Sequence, residues 1–204
     1  MNPTHTILRS CAVASALLLL GACESTTFEH SPVAESSCDA ALAGNWFSLA
    51  DTRDESDGEA ELLIDGSCKL LLIEHKKDGV VSDDPTLLHI GTDERQGYLW
   101  VDAAWAYRRA DSKELTVPGD VYVLRYRIHG DKLELQTLND KAIAHRIIDG
   151  DLRGVTRKSE HDLFNRLTGT VTPQQLRRHD FFADKPVRFK RHEPKPESVP
   201  AERP

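Results

Sequence analysis

Apolar and polar residues alternate with a period of two along much of the chain, which is typical of half-buried β-strands. The clearest case covers residues 122–128, where every second side chain is large and apolar. Gly130-Asp131 then predicts a turn, and residues 133–137 repeat the alternation. These two segments predict an antiparallel hairpin with one buried face.

Similar patterns predict strands elsewhere. The first predicted strand contains Gly44-Asn45-Trp46-Phe47, and two more lie on either side of a turn at Asp65-Gly66. Further strands are predicted over residues 87–90, 98–105 and 186–190, the last of which ends the domain. Helix signals occur only late in the chain: a cap at Asn139 or Asp140 before a helix ended by Gly150, a possible start at Ser159, and a capping box of Thr172 and Gln175. The sequence therefore predicts a mainly β (α+β) fold, either a small antiparallel β-barrel or a strongly curved sheet, with two or three short late helices.

The N-terminal segment has the layout of a secretory signal peptide, because Arg9 precedes an apolar run and small residues follow it. Leu20-Gly21-Ala22-Cys23 resembles the lipobox of bacterial lipoprotein precursors. This resemblance implies that the peptide before Cys23 is removed and that Cys23 carries fatty acyl chains such as palmitate. In that family, Asp directly after the cysteine often marks retention in the inner membrane. Glu24 stands at that position here, so the resemblance implies the periplasmic face of the outer membrane, if the source is Gram-negative. The alternative is an ordinary signal peptide with an incidental cysteine.

The chain divides into four expected parts. Residues 1–22 are the lipoprotein signal peptide, and residues 23–41 are a lipidated cysteine followed by a flexible polar tether. Residues 42–192 form a β-rich globular domain, and the proline-rich, charged residues 193–204 form a disordered tail.

Cys38 and Cys68 remain after the signal peptide and the anchor are assigned. In an oxidising compartment a disulfide between them is the economical inference, and two buried free thiols are the alternative. A metal site is not expected, because the sequence has no Cys-x-x-Cys motif or closely spaced histidine pair near them.

Gly44-Asn45-Trp46 resembles the start of lipocalin-type barrels, and residues 122–135 are similar to a loose group of uncharacterised bacterial small-barrel proteins. Neither resemblance supplies catalytic residues. In such a barrel, aromatic side chains either line a cavity for an apolar ligand or fill the interior. The candidates for lining a cavity are Trp46, Trp100, Trp105, Tyr122 and Tyr126.

The formal net charge of −7 argues against a nucleic-acid partner, as does the lack of a basic stripe interleaved with aromatics. Phosphate-binding glycine loops, Gly-x-Ser-x-Gly and His-Glu-x-x-His are absent, so no catalytic residue and no cofactor is expected. The sequence favours a non-enzymatic, lipid-anchored envelope protein that binds a small apolar ligand or an envelope protein. A structural or assembly accessory of the outer membrane is the alternative, and a hydrolase with a dispersed active site ranks last.

Overall fold

The computed structural model describes residues 24–49, 59–94, 96–108, 116–159 and 162–192. The predicted signal peptide, Cys23 and the predicted tail at 193–204 lie outside these residues.

Strands form about half of the described chain. They are β1 (Glu24–Phe28), β2 (Glu35–Ser36), β3 (Gly44–Ser48), β4 (Glu59–Ile64), β5 (Lys69–Lys76), β6 (Gly79–Ser82), β7 (Thr86–Leu87), β8 (His89–Asp93), β9 (Gln96–Asp102), β10 (Val121–His129), β11 (Lys132–Gln136), β12 (Gly154–Lys158), β13 (Leu163–Leu167) and β14 (Val187–Arg191). The helices in these residues are α1 (Ala103–Ala106), α2 (Asp140–Ile148) and α3 (Pro173–Leu176).

All of these strands belong to one sheet, whose main path runs β12-β13-β1-β10-β11-β14-β3-β4-β5-β6. The described neighbours are antiparallel except for β1 and β13, which are parallel. The sheet curves strongly, because strands far apart along the main path are joined by neighbouring residues. Strands β7 and β8 are separated by one residue, yet β7 pairs with β5 and β8 pairs with β9, which lies beside β10. The prediction of a mainly β fold with a curved sheet and few helices is confirmed.

Local sequence signals placed several elements correctly. The predicted hairpin over 122–137 is β10 and β11, and the final predicted strand is β14. In the turn between β4 and β5 the Asp65 carboxylate accepts hydrogen bonds from the backbone of Ser67 and Lys69, at 2.8 and 2.9 Å. Asn139 caps α2 and Thr172 caps α3, the latter in a complete capping box with Gln175.

The predictions for two whole segments are wrong. The segment expected to form a helix after Ser159 is strand β13, whose side chains alternate between the two faces of the sheet. The flexible tether predicted over 23–41 fails as well, because Glu24–Phe28 is strand β1 between β13 and β10. Ser25, Thr26, Thr27 and Phe28 are all buried there. Residues 24–28 therefore belong to the folded domain, which was expected to start only at residue 42.

The core forms on both faces of β9 and β10. Leu99 and Leu124 face the concave side, where they meet apolar residues of β4, β5 and β11. Tyr98 points to the opposite face, where its ring packs 6.0 Å from the ring of Phe182. Phe181 continues this second layer towards Phe28 of β1, with ring centroids 6.4 Å apart.

Candidate functional site

A narrow cavity of about 40 Å³ lies on the concave side of the sheet. Its walls come from alternate residues of β4, β5, β9, β10 and β11, because every second side chain of a strand faces the same side. The lining residues are Leu62, Ile64, Leu70, Leu72, Glu74, Asp83, Leu88, Leu99, Val101, Trp105, Ala106, Arg108, Tyr122, Leu124, Leu133 and Leu135. We call this space the cavity.

One end of the cavity, the disulfide end, lies near Ile64 and the turn that follows it. Cys68 in this turn is bonded to Cys38, with sulfur atoms 2.00 Å and Cα atoms 5.6 Å apart, which confirms the predicted disulfide. The disulfide holds the segment before β3 against this end. In that segment, the Leu42 carbonyl accepts a hydrogen bond from Trp46 Nε1 at 2.8 Å.

Arg191 completes the disulfide end. Its guanidinium lies 4.3 Å from the centroid of the Trp46 ring, a cation–π arrangement. The same group donates hydrogen bonds at 2.6 Å to the carbonyls of Ala43 and Ala41. Tyr126 reaches the same region, where its hydroxyl donates to the Asp39 carboxylate at 3.0 Å. Polar contacts thus fasten the backbone at this end.

The opposite end, the charged end, carries Glu74, Asp83 and Arg108 beside helix α1. Trp105 of α1 donates from Nε1 to the Asp84 carbonyl at 2.8 Å, and the Arg108 guanidinium stacks 3.8 Å from the Trp105 ring centroid. Arg108 also pairs with Asp83. The four-residue helix α1 therefore covers the charged end of the cavity.

Lys76 neutralises the buried carboxylate of Glu74 at the charged end, with Nζ 3.0 Å from Oε2. The charged end therefore contains two ion pairs, Lys76 with Glu74 and Arg108 with Asp83. Each carboxylate thus has the polar partner that a buried charge needs.

The five predicted lining aromatics separate into three places. Trp105 and Tyr122 line the cavity at the charged end. Trp46 and Tyr126 pack at the disulfide end and do not line the cavity. Trp100 faces the other side of β9 and stacks on His89, with centroids 5.9 Å apart.

Sequence reasoning did not identify the leucine walls of the cavity or helix α1. Residues 98–105 were expected to be one strand, yet Trp105 lies on α1. A signal for α1 was available, because the Asp102 carboxylate caps this helix by accepting a hydrogen bond from the Trp105 backbone N–H at 2.8 Å.

A second group of functional candidates, which we call the polar cluster, fastens β1 to the rest of the domain. It consists of Thr26, Thr27, Asp120, Asp140, Asn165 and Arg166. The Thr26 hydroxyl donates to Asp140 Oδ1 at 2.6 Å. Asn165 donates to the Thr26 hydroxyl at 3.1 Å and to the Asp140 carbonyl at 2.9 Å. These bonds satisfy polar groups that burial would otherwise leave unpaired.

Arg166 and Asp120 form the charged half of the polar cluster. Arg166 donates from Nε and Nη2 to the two carboxylate oxygens of Asp120, at 2.7 and 2.8 Å. The Thr27 hydroxyl donates to the same carboxylate at 3.1 Å. Asp120 is only 2% exposed, so this bidentate pair compensates the burial of its charge.

Burial raises the pKa of Asp140 to about 6 from an ordinary value of 3.8, and the negative charge of Glu24 acts in the same direction. The hydrogen bond from Thr26 opposes this shift. Burial also raises the pKa of Tyr107 and of Tyr122, so both phenols stay neutral at physiological pH.

Within the described ranges, no group of three or more histidine, cysteine, aspartate or glutamate side chains is arranged to hold a metal ion. His75 pairs with Glu61 and His89 with Glu35, in two separate places. None of the described helices is both long and apolar enough to cross a membrane.

Comparisons with known proteins give no relative for this chain: no family model, no curated protein and no solved structure matches it.

Proposed function

We propose that this protein is a lipid-anchored component of the cell envelope whose curved sheet binds one small apolar ligand. The observation that carries the proposal is the cavity, whose walls are mainly leucine, isoleucine, valine and aromatic side chains and whose charged lining residues lie at the charged end. A ligand with an alkyl chain and a polar head matches this distribution. The chain would lie between the strands, and a carboxylate head such as that of a fatty acid would meet the Arg108 guanidinium.

The size of the cavity restricts the class of ligand. Typical small-molecule sites measure roughly 300–1,000 Å³, whereas this cavity measures about 40 Å³. A single slender alkyl chain is therefore favoured over a bulky or ring-containing ligand, and even this chain requires the lining side chains to rearrange as it enters. We expect the ligand to enter past α1, because this four-residue helix lies over the charged end of the cavity.

The anchor is supported by the lipobox resemblance at Leu20-Gly21-Ala22-Cys23. Several acyl chains on one residue give a stable membrane anchor, whereas a single chain binds only marginally. Intact-mass analysis of the protein purified from membranes tests this part. We expect cleavage before Cys23 and an added lipid mass, both lost in Cys23→Ser; an unmodified thiol in the wild type would contradict the proposal.

Two alanines of α1 provide a matched test of ligand binding. Ala106 lines the cavity, whereas Ala104 on the same helix is exposed. Ala106→Leu fills the cavity, so we expect at least about a tenfold loss of binding, whereas Ala104→Leu should bind like the wild type. The probe is a ten-carbon fatty acid with a terminal photoreactive diazirine, added to the full-length protein in vesicles, with labelled residues mapped by mass spectrometry.

Labelling of cavity residues that is lost only in Ala106→Leu supports the proposal. Equal labelling of both variants, or labelling confined to outward-facing residues, contradicts it. The small volume of the cavity also favours the second candidate, a structural or assembly accessory that uses its outer faces. That candidate predicts no cavity labelling in any variant and no apolar molecule extracted from the native protein.

A further inference from the structure

The first residue of β1 directly follows the proposed site of lipidation. Consecutive Cα atoms lie about 3.8 Å apart, so the folded domain begins within one residue of Cys23. A free tether over residues 24–41 would let the domain move roughly 60 Å from the membrane, at about 3.3 Å per residue. We propose that the end of the domain around Glu24 rests on the lipid headgroups and gives the anchored protein one fixed orientation. This inference rests on the proposed lipid anchor.

Strand β1 cannot act as a flexible linker, because it is held along its whole length. Each of its five residues pairs in register with β13, from Glu24 opposite Leu163 to Phe28 opposite Leu167. Side chains add to the backbone pairing: Thr26 donates to Asp140, and Thr27 donates to Asp120. Moving the anchor away from the domain would therefore mean extracting a buried strand.

The sheet register identifies the surface that lies beside the anchor. Glu24 is opposite Leu163, and Leu163 is opposite Lys158 on the next strand. Neighbouring strands are about 4.8 Å apart, so the Lys158 backbone lies roughly 10 Å from that of Glu24. Lys141, at the start of α2, reaches the same place, with Nζ 3.1 Å from Glu24 Oε1. We call this surface the anchored end.

The anchored end is suited to a phospholipid surface. Its described charged groups are Lys141, Arg157 and Lys158 against Glu24 and Asp162. The three cations are exposed, and the Glu24 carboxylate is paired with Lys141. The headgroup layer is about 5–8 Å thick on each side of the hydrocarbon core, so residues next to the anchor meet lipid phosphates. Each cation near an anionic surface raises binding by about fivefold.

Fluorescence quenching measures the orientation directly. One fluorophore is attached through Lys158→Cys at the anchored end, and in a second sample through Arg153→Cys, an exposed residue next to the other end of β12 and roughly 16 Å away along the strand. The full-length lipidated protein is placed in vesicles of phosphatidylcholine and phosphatidylglycerol with a nitroxide on the headgroups. We expect the Lys158→Cys label to be quenched at least about threefold more than the Arg153→Cys label, because the quencher acts only near the headgroups.

A spacer variant provides the control. Insertion of a long glycine- and serine-rich segment between Cys23 and Glu24 should abolish the difference in quenching while the protein still floats with the vesicles. Equal quenching of the two labels in the protein without the spacer would overturn the fixed orientation and leave the anchor intact. Failure to float with vesicles, together with an unmodified mass, would overturn the anchor and this inference with it.

Discussion

The cavity and the polar cluster adjoin the same strand, β10. Most side chains that line the cavity are apolar, whereas the polar cluster consists of charged and hydrogen-bonding side chains. Tyr122 and Leu124 of β10 line an apolar cavity, whereas Asp120, just before the strand, binds Arg166 and Thr27. Apolar packing is non-directional and allows small rearrangements, whereas a buried ion pair is stable only in a narrow range of geometries. The comparison indicates an adjustable region, where we propose that the ligand binds, beside a rigid region that fixes β1.

Removal of the disulfide should affect the cavity region alone and give the largest loss of stability. The bond joins residues 30 positions apart, so the double variant Cys38→Ser, Cys68→Ser should lose about 3 to 4 kcal/mol of unfolding free energy. Urea unfolding measures this loss. We expect labelling of the cavity by the fatty-acid probe to fall while β1 stays protected from amide exchange. Deprotection of β1 in this variant would show that the two regions are not independent.

Loss of Arg166 should have the next largest effect, and it acts on the polar cluster. Arg166→Met leaves the buried Asp120 carboxylate without its bidentate partner and should cost about 3 kcal/mol. Arg188→Met removes the partner of Glu134 in a more exposed pair, so it should cost less than about 1 kcal/mol. Denaturant unfolding of both variants tests the contrast. Equal costs would mean that the Asp120–Arg166 pair does not fasten β1.

Asp140 should make the folded protein more stable as the pH falls. A carboxylate in an ordinary salt bridge has the opposite effect, because its stabilisation is lost when it is protonated. Because the pKa of Asp140 is raised to about 6, the folded state binds the proton more tightly than the unfolded state does. The resulting stabilisation is complete below about pH 4 and is lost as the pH rises through about 6.

Asp140→Asn imitates the protonated carboxyl, and its side-chain oxygen still accepts the hydrogen bond from Thr26. Relative to the wild type, this variant should therefore gain about 1 to 2 kcal/mol between pH 4 and pH 8. Unfolding curves of both proteins across this range measure the difference. A relative loss of stability by the variant at high pH would contradict the assigned shift.

Elements with local signals could be predicted from the sequence, and elements held by distant partners could not. The hairpin of β10 and β11 follows from alternation, and α3 follows from the capping box of Thr172 and Gln175. Strand β1 has only one large apolar residue, Phe28. Its threonines are buried because they bind carboxylates 114 and 93 residues away. No local pattern contains that information.

The lining of the cavity was only partly predictable for a related reason. A shift of one residue along a strand moves a side chain to the other face of the sheet. Trp100 pairs with Val123, and both lie on the face opposite Tyr122 and Leu124. Composition alone therefore could not distinguish Trp100 from Tyr122, because the register of β9 against β10 decides which of them faces the cavity.

Amide hydrogen exchange of the lipidated protein in vesicles, with and without decanoic acid, tests the contrast between the two regions most directly. We predict that the amides of Thr26, Thr27 and Phe28 exchange as slowly as those of β10 in both samples. Decanoic acid should slow exchange at Tyr107, whose N–H donates to the Ala103 carbonyl at 2.9 Å at the end of α1. Exchange of the β1 amides at the rate of an unstructured peptide, or an α1 that does not respond to the fatty acid, would contradict the account.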